Sequence, residues 1–434
     1  MRNINYQENK IVKWEKLVMS SCIVFIDDNE FDGEYSIENG KIDLEIYNYS
    51  SGLEDEDVGS FITYKEMIIH DYRNKQFVYS PVFRHCSVTY GLTQYETFQT
   101  DFYLSTSKYD NIENFKSEGK IKSITFYHPL FIKFFTNPCL TVKHSDNKIE
   151  STLDTKSSVR VINIQHNNVD RIEFGGAFSY KHSKDNQELH IETENYIQLF
   201  FVDPIVLEDV LKYINEFDVF INAYAPKGLR SFKTFVKMDN GKQFTLTHKL
   251  LGKEKYYKPM VRPVVKMEIF DFMEKMYKDV NYRISENKNK FLPLEFKKPT
   301  SLEDQFTYYF RYIDLFMGDF LKKETGSNPS NFDRISRFVD DYLRMFDSQD
   351  ILNPDNLKNE LNSLRNHYVH EGYYLPNDEF RVTQKRKLLY MKKMDYKWLY
   401  RVTEALKLGV YHILYTKVLQ VEIDEQILKI SNIK

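Results

Sequence analysis

The hydrophobic period of this chain changes once along its length, and that change limits its fold more than any other feature. Up to about residue 255 apolar side chains tend to alternate with polar ones, the period of a strand with one buried face. From about Pro263 they recur every three or four residues, the period of an amphipathic helix. Strand grammar followed by helix grammar predicts an α+β fold with segregated parts, not alternating α/β units. The 434 residues allow two or three domains at about 100–200 residues each. The expected division is a β-rich N-terminal domain over 1–255 and an all-α helical bundle over 263–434.

Within the first part, "GKIDLEIYNYS" alternates Ile42, Leu44 and Ile46 after an Asn39-Gly40 turn, a hairpin pattern. "SVRVINIQ" is rich in β-branched residues, but its alternation breaks at Val161-Ile162 and leaves the buried face open. "ELHIETENYIQLFFV" extends the strand reading to residue 202, and "FKTFVKMDNGKQFTLTH" forms a second hairpin turning at Asp239-Asn240-Gly241. One helix is expected after Asp203-Pro204, with Pro204 at its first position and Leu207, Val210, Leu211, Ile214 and Phe217 on its apolar face. In the second part Val265, Ile269, Phe272, Met273, Met276 and Val280 mark one helix. Ser301, with Asp304 three residues on, caps a second whose stripe is Leu302, Phe306, Phe310, Ile313, Met317 and Phe320. Phe332, Ile335, Phe338, Tyr342 and Phe346 mark a third, and residues 396–419 the last.

The fourth helix carries the chemistry. Asn353-Pro354 reads as an N-cap with proline at the first helical position, and Gly372 as the left-handed residue that ends a helix. The helix therefore spans about 354–371, with Leu357, Leu361, Leu364 and Tyr368 on one core stripe. Taking Arg365 as zero and stepping about 100° per residue, Val369 falls at about 40°, Asn366 at about 100° and His370 at about 140°, against a stripe centred at about 290°. His367 falls outside that arc, at about 200°. Arg365, Asn366 and His370 thus share a face turned away from the core stripe.

A guanidinium holds a phosphate bidentately, an amide donates and accepts, and an imidazole near neutral pKa moves a proton. Such a set can cleave RNA without metal: the ribose 2′-hydroxyl attacks, histidine takes or delivers the proton, and arginine stabilises charge on the phosphate. The same spacing equally suits side chains that cap carbonyls or pair with acids on a solvated face. Residues 381–397 hold seven basic side chains and one acid, a local charge of 7 − 1 = +6, with Tyr390 and Tyr396 interleaved. Arg381, Lys385, Arg386, Lys387, Lys392 and Lys393 are candidate RNA-binding residues, phosphate tracking and stacking being one reading and a solvated face the other. Because net charge is −3, nucleic-acid contact has to come from such a local patch. The 32 Tyr and 33 Phe supply either core volume or stacking surface.

Arginine, a polar residue, three further positions and histidine, late in a helix of a small bundle, resembles the motif of HEPN ribonucleases. Here it reads Arg365-Asn366-His367-Tyr368-Val369-His370. The resemblance is closer to the ApeA-like branch, in which a β-rich domain precedes a HEPN bundle. "SLEDQFTYYFRYIDLF" (301–316) looks like that branch's first long helix and "LRNHYVHEGYY" like its catalytic helix. The likeness covers roughly 263–420, and before that rests on architecture and length.

The resemblance implies a homodimer whose two motifs face each other in one composite site, with Arg365 and His370 catalytic and Asn366 holding the phosphate or orienting the histidine. It suggests Asp314 as a facing-helix acid that positions the arginine, although a surface ion pair fits that residue as well. His367 is a further supporting candidate. The activity implied is metal-independent cleavage of cellular RNA, tRNA being the expected substrate, in anti-phage abortive infection. The N-terminal domain would then sense a phage-derived trigger.

Other chemistry lacks support. The three cysteines form no CxxC or zinc spacing, no histidines form HExxH, and none of the Gly-Lys pairs lies in a phosphate-binding loop. No metal or cofactor is expected. "LVMSSCIVFI" (17–26) is a poor signal peptide, being preceded by a long polar stretch and followed by Asp27 and Asp28. No apolar run approaches the ~18 residues of a membrane span, so a cytoplasmic protein without membrane contact is expected. Two rival functions remain open: a catalytically silent HEPN scaffold binding nucleotide or RNA, and a ligand-binding protein whose Arg/His face is incidental.

Overall fold

A computed structural model describes residues 19–26, 29–38, 41–47, 64–87, 95–100, 102–107, 119–136, 140–145, 148–153, 158–182, 189–225, 233–248, 262–280, 301–343, 354–371, 379–384, 387–393 and 396–427. The protein is mixed α+β. Its strands begin with β1 (Ser20–Ile26), β2 (Asn29–Glu38), β3 (Lys41–Tyr47), β4 (Tyr64–Asp71), β5 (Gln76–Ser87), β6 (Tyr95–Thr100), β7 (Phe102–Thr106) and β8 (Ile121–Tyr127). They continue with β9 (Leu140–Ser145), β10 (Lys148–Leu153), β11 (Ser158–His166), β12 (Val169–His182), β13 (Leu189–Ile205), β14 (Lys233–Met238), β15 (Gln243–His248), β16 (Glu379–Gln384) and β17 (Lys387–Lys393). The helices are α1 (Leu207–Tyr224), α2 (Ile269–Lys275), α3 (Leu302–Thr325), α4 (Asn331–Phe338), α5 (Pro354–Glu371) and α6 (Tyr396–Ile413). Helices α2, α4 and α6 run on as π-helical turns over Met276–Val280, Val339–Leu343 and Leu414–Leu419.

Two compact units divide the chain, Met1–Phe126 with Arg230–Glu254 and Tyr127–Leu229 with Lys255–Lys434. The expected spans 1–255 and 263–434 group the residues differently. Strands β9 to β13 and helix α1 fall in the same unit as the C-terminal helices, while β14 and β15 return to the first strands. Periodicity reports the type of each element, not its partner.

In the first unit six antiparallel strands close on themselves in the order β1-β2-β3-β6-β5-β4, with β4 pairing back to β1. Closure leaves no edge within the ring. Its interior is filled by alternate residues: Val24, Ile42, Leu44, Ile46, Ile69, Val78, Phe83 and Phe98 form one buried cluster. The expected alternation of Ile42, Leu44 and Ile46 is therefore the inward face of β3. β7 pairs with β5 and β15, and β15 with β14 through the turn at Gly241, whose φ of 85° suits glycine.

In the second unit β11, β12 and β13 form an antiparallel meander. Ile162 and Ile164 are buried while Val161 is 46% exposed, which settles the buried face of β11. Pro204 lies in the end of β13 and not at the first position of a helix; α1 starts after Val206, with Glu208 and Asp209 in its first turn. Those carboxylates suit the positive end of the helix as proline would suit its first turn. Phe270, preceding the buried Phe272 of α2, meets Phe174 of β12 edge-on at 4.8 Å, and Phe135 meets the same ring at 5.6 Å.

Helices α3, α4, α5 and α6 pack together in this unit. Ser301 caps α3 by accepting a bond from the Asp304 amide, and Gly326 ends it at φ 72°. Phe306, Phe310, Ile313 and Met317 of α3 and Leu357, Leu361 and Leu364 of α5 are buried. α6 is buried on most of its faces, from Leu399 through Ile413. The residues of the stripes expected from the 3.6-residue period are thus buried, except that Phe332 is exposed, Phe320 is half-buried, and the side chains of Val280 and Tyr368 and the whole of Phe346 lie outside the described residues. The C-terminal part is not all-α: β16 and β17 form an antiparallel hairpin between α5 and α6. Glu379-Phe380-Arg381-Val382-Thr383 alternates polar and apolar side chains, which favours a strand.

Candidate functional site

Helix α5 is described over Pro354–Glu371, with Pro354 as its first residue; Gly372 lies outside the described residues. Leu357, Leu361 and Leu364 fix its rotation about its axis by burying one stripe. Lys358 ties it to Asp340 in the π-helical turn after α4, at 2.6 Å. With that rotation set, Arg365 reaches helix α3. Its Nη2 donates to Asp314 Oδ2 at 3.4 Å and its Nη1 donates to Asn366 Oδ1 at 3.3 Å. Only 22% of the Arg365 side chain and 21% of the Asp314 side chain are exposed. The Arg365 end of the face read as pointing away from the core is therefore covered by α3, because a helical wheel records one helix and not its neighbour.

The facing-helix acid and the arginine do meet, and the pair is half-buried rather than a fully solvated surface contact. It is also long, since charge-assisted N–H···O bonds usually measure about 2.7–2.9 Å. Burial pushes the Asp314 carboxyl above its ordinary range, opposed by the charges of Arg365 and Arg334 and by the Arg365 hydrogen bond. Asp314 Oδ1 and Arg365 Nε are buried without a hydrogen-bond partner among the described residues. A long bond and two unsatisfied atoms describe a guanidinium that is oriented but not fully engaged. Such a group can still exchange donors with an incoming phosphate.

His367 is half-buried on the same helix. His370 is placed by its backbone in the last turn of α5; its side chain lies outside the described residues. Arg381, Lys387, Lys392 and Lys393 lie on the β16–β17 hairpin, in a register that pairs Phe380 with Lys392 and Gln384 with Lys387. Their side chains, and Lys385 and Arg386 altogether, lie outside the described residues. The structure thus brings together Arg365, Asn366 and Asp314 and sets the basic run on a hairpin that follows α5.

Arg334 of α4 is the neighbour that sequence pattern does not single out. A Cβ built at Gly318 would stand 3.4 Å from Arg334 Cζ, which places this guanidinium against α3 one turn beyond Asp314. The only hint in the sequence is a glycine inside a helix, four residues after the acid. Among the described residues, no group of three or more His, Cys, Asp and Glu is placed to hold a metal ion, and no helix is long and apolar enough to cross a membrane. Comparison of the chain with protein-family models, curated proteins and solved structures finds no match.

Proposed function

We propose that this protein is a metal-independent endoribonuclease of the HEPN kind, acting as a homodimer in which the Arg365–His370 segments of two copies form one site. The observation that carries the reading is the Arg365–Asp314 pair. An arginine late in one bundle helix is oriented by an acid from the facing helix, with the Asn366 amide beside it. In the reaction the ribose 2′-oxygen attacks phosphorus and the P–O5′ bond breaks. One His370 imidazole takes the 2′ proton, and the second copy's imidazole delivers a proton to the departing 5′ oxygen. Arg365 stabilises the added charge on the phosphoryl oxygens. The products are a 2′,3′-cyclic phosphate and a 5′-hydroxyl, and the step balances with no further reactant.

The basic hairpin supports a path for RNA because six cationic side chains follow the site closely in sequence. tRNA is the substrate expected in this reading, anti-phage abortive infection the setting, and the N-terminal strands the sensor of a phage-derived trigger. The test is sequencing of cellular RNA ends after induced expression of wild type, Arg365→Ala and His370→Ala. New 5′-hydroxyl ends in wild type and none in either variant are expected. Equal ends in all three refute the assignment, and RNA binding without new ends in wild type favours a silent scaffold.

A further inference from the structure

Glycine inside a helix costs about 1 kcal/mol relative to alanine, yet α3 carries Gly318 one turn after Asp314. At this point the Arg334 side chain lies against α3, with Cζ 3.4 Å, Nε 3.5 Å and Nη1 3.7 Å from the position a Cβ would take, the range of ordinary van der Waals contact. Arg334 comes from α4 and Arg365 from α5, so guanidiniums on two different helices act on one carboxylate of a third. The charges do not cancel: two cations and one anion leave 2 − 1 = +1.

Arg337, one turn further along α4, shows what a structural arginine looks like in the same bundle. It is held by Glu324 at 3.3 Å and Asp341 at 2.5 Å. Arg334 has no carboxylate within ion-pair distance among the described residues, and its Nε is buried without a hydrogen-bond partner there. Arg365 Nε shares that condition. Buried polar atoms left without partners call for a physical explanation, and a bound ion is one. A phosphodiester carries one negative charge, which matches the surplus. Guanidinium forks hold phosphate oxygens two at a time, and partial burial strengthens the attraction.

We propose that Arg334 and Arg365 form a two-guanidinium seat for a single phosphate group, with Asp314 as the resident counter-ion that orients Arg365 and feels the charge of Arg334. The RNA identity of that phosphate rests on the function proposed above; the seat itself does not. Both arginines touch the ligand.

The test uses the full chain and two probes: inorganic phosphate by calorimetric titration, and a 2′-O-methyl RNA oligonucleotide, which cannot be cleaved, by fluorescence anisotropy across a salt series. Arg334→Gln and Arg365→Gln are each expected to weaken both probes about tenfold and to lower the salt slope for RNA by about one. The double variant should lose less than the product of the two, because both contacts serve one ligand. If Arg334→Gln does not fold, Arg334→Lys keeps the charge without the fork and is expected to weaken phosphate about threefold. Binding within twofold of wild type in a folded Arg334 variant, or no phosphate binding by wild type, overturns the seat. Weakened phosphate binding in a protein that neither binds nor cuts RNA upholds the seat and removes the ribonuclease reading.

Discussion

Asp314 is held between burial, which favours its neutral form, and two cations, which favour its charge. Replacing it by asparagine keeps the shape and removes the charge that orients Arg365. Asp314→Asn is therefore expected to slow RNA cleavage roughly tenfold, about 1.4 kcal/mol in the barrier, with the loss appearing in kcat. A steady-state comparison in which KM rises and kcat stays constant would contradict a positioning role. His128 offers a separate test at this scale. Burial pushes its imidazole down to about 4 from 6.5, and its Nδ1 accepts a bond from the Leu130 amide at the start of the short helix Pro129–Lys133. Between those two values the unfolded chain takes a proton that the folded chain refuses. The contribution is thus present above about pH 6.5 and lost as pH falls to about 4, an amount of about 3 kcal/mol at 1.4 kcal/mol per unit. His128→Asn, which can cap without titrating, should lose less Tm between pH 7 and pH 4.5 than wild type; equal losses would exclude His128. Arg365, Asn366 and Asp314 were legible in the sequence because the first two adjoin on one helix and the third breaks an apolar stripe. Arg334 was not, because its place depends on how α4 packs on α3.

Among the elements, the start of α5 was legible from Pro354, and that of α3 because Ser301 and Asp304 cap it. The hairpin β16–β17 was hidden by its charge, since a dense basic run suggests a solvated face before it suggests a strand. Helix contacts also depend on residues whose role shows only in three dimensions. A Cβ on Gly409 of α6 would stand 2.4 Å from Phe338 Cζ of α4. Alanine there should improve helix propensity by about 1 kcal/mol but overpack the α4–α6 contact by about 1–3 kcal/mol. A net fall in Tm is expected, relieved in part by Phe338→Leu. A rise in Tm for Gly409→Ala alone would show that the ring moves freely.

For the whole molecule, the division into units makes a prediction that periodicity alone would reverse. Cutting at residue 263 separates the helices from residues 127–229, which belong to the same unit. Tyr415 Oη donates to the Ala223 carbonyl at 2.7 Å, and the Val264 amide donates to the Tyr224 carbonyl at 2.9 Å, so contacts to α1 would be lost. The fragment 263–434 should show no cooperative thermal transition, whereas a sharp one would mean that the helices fold alone. The central claim is that Arg365 and His370 break RNA without a metal. Its most direct measurement is cleavage of total tRNA by purified full-length protein in excess EDTA, with the new termini identified chemically. Cleavage that leaves 2′,3′-cyclic phosphates and 5′-hydroxyls, and that disappears in His370→Ala, is predicted. Cleavage that needs a divalent ion, or that survives in His370→Ala, would contradict it.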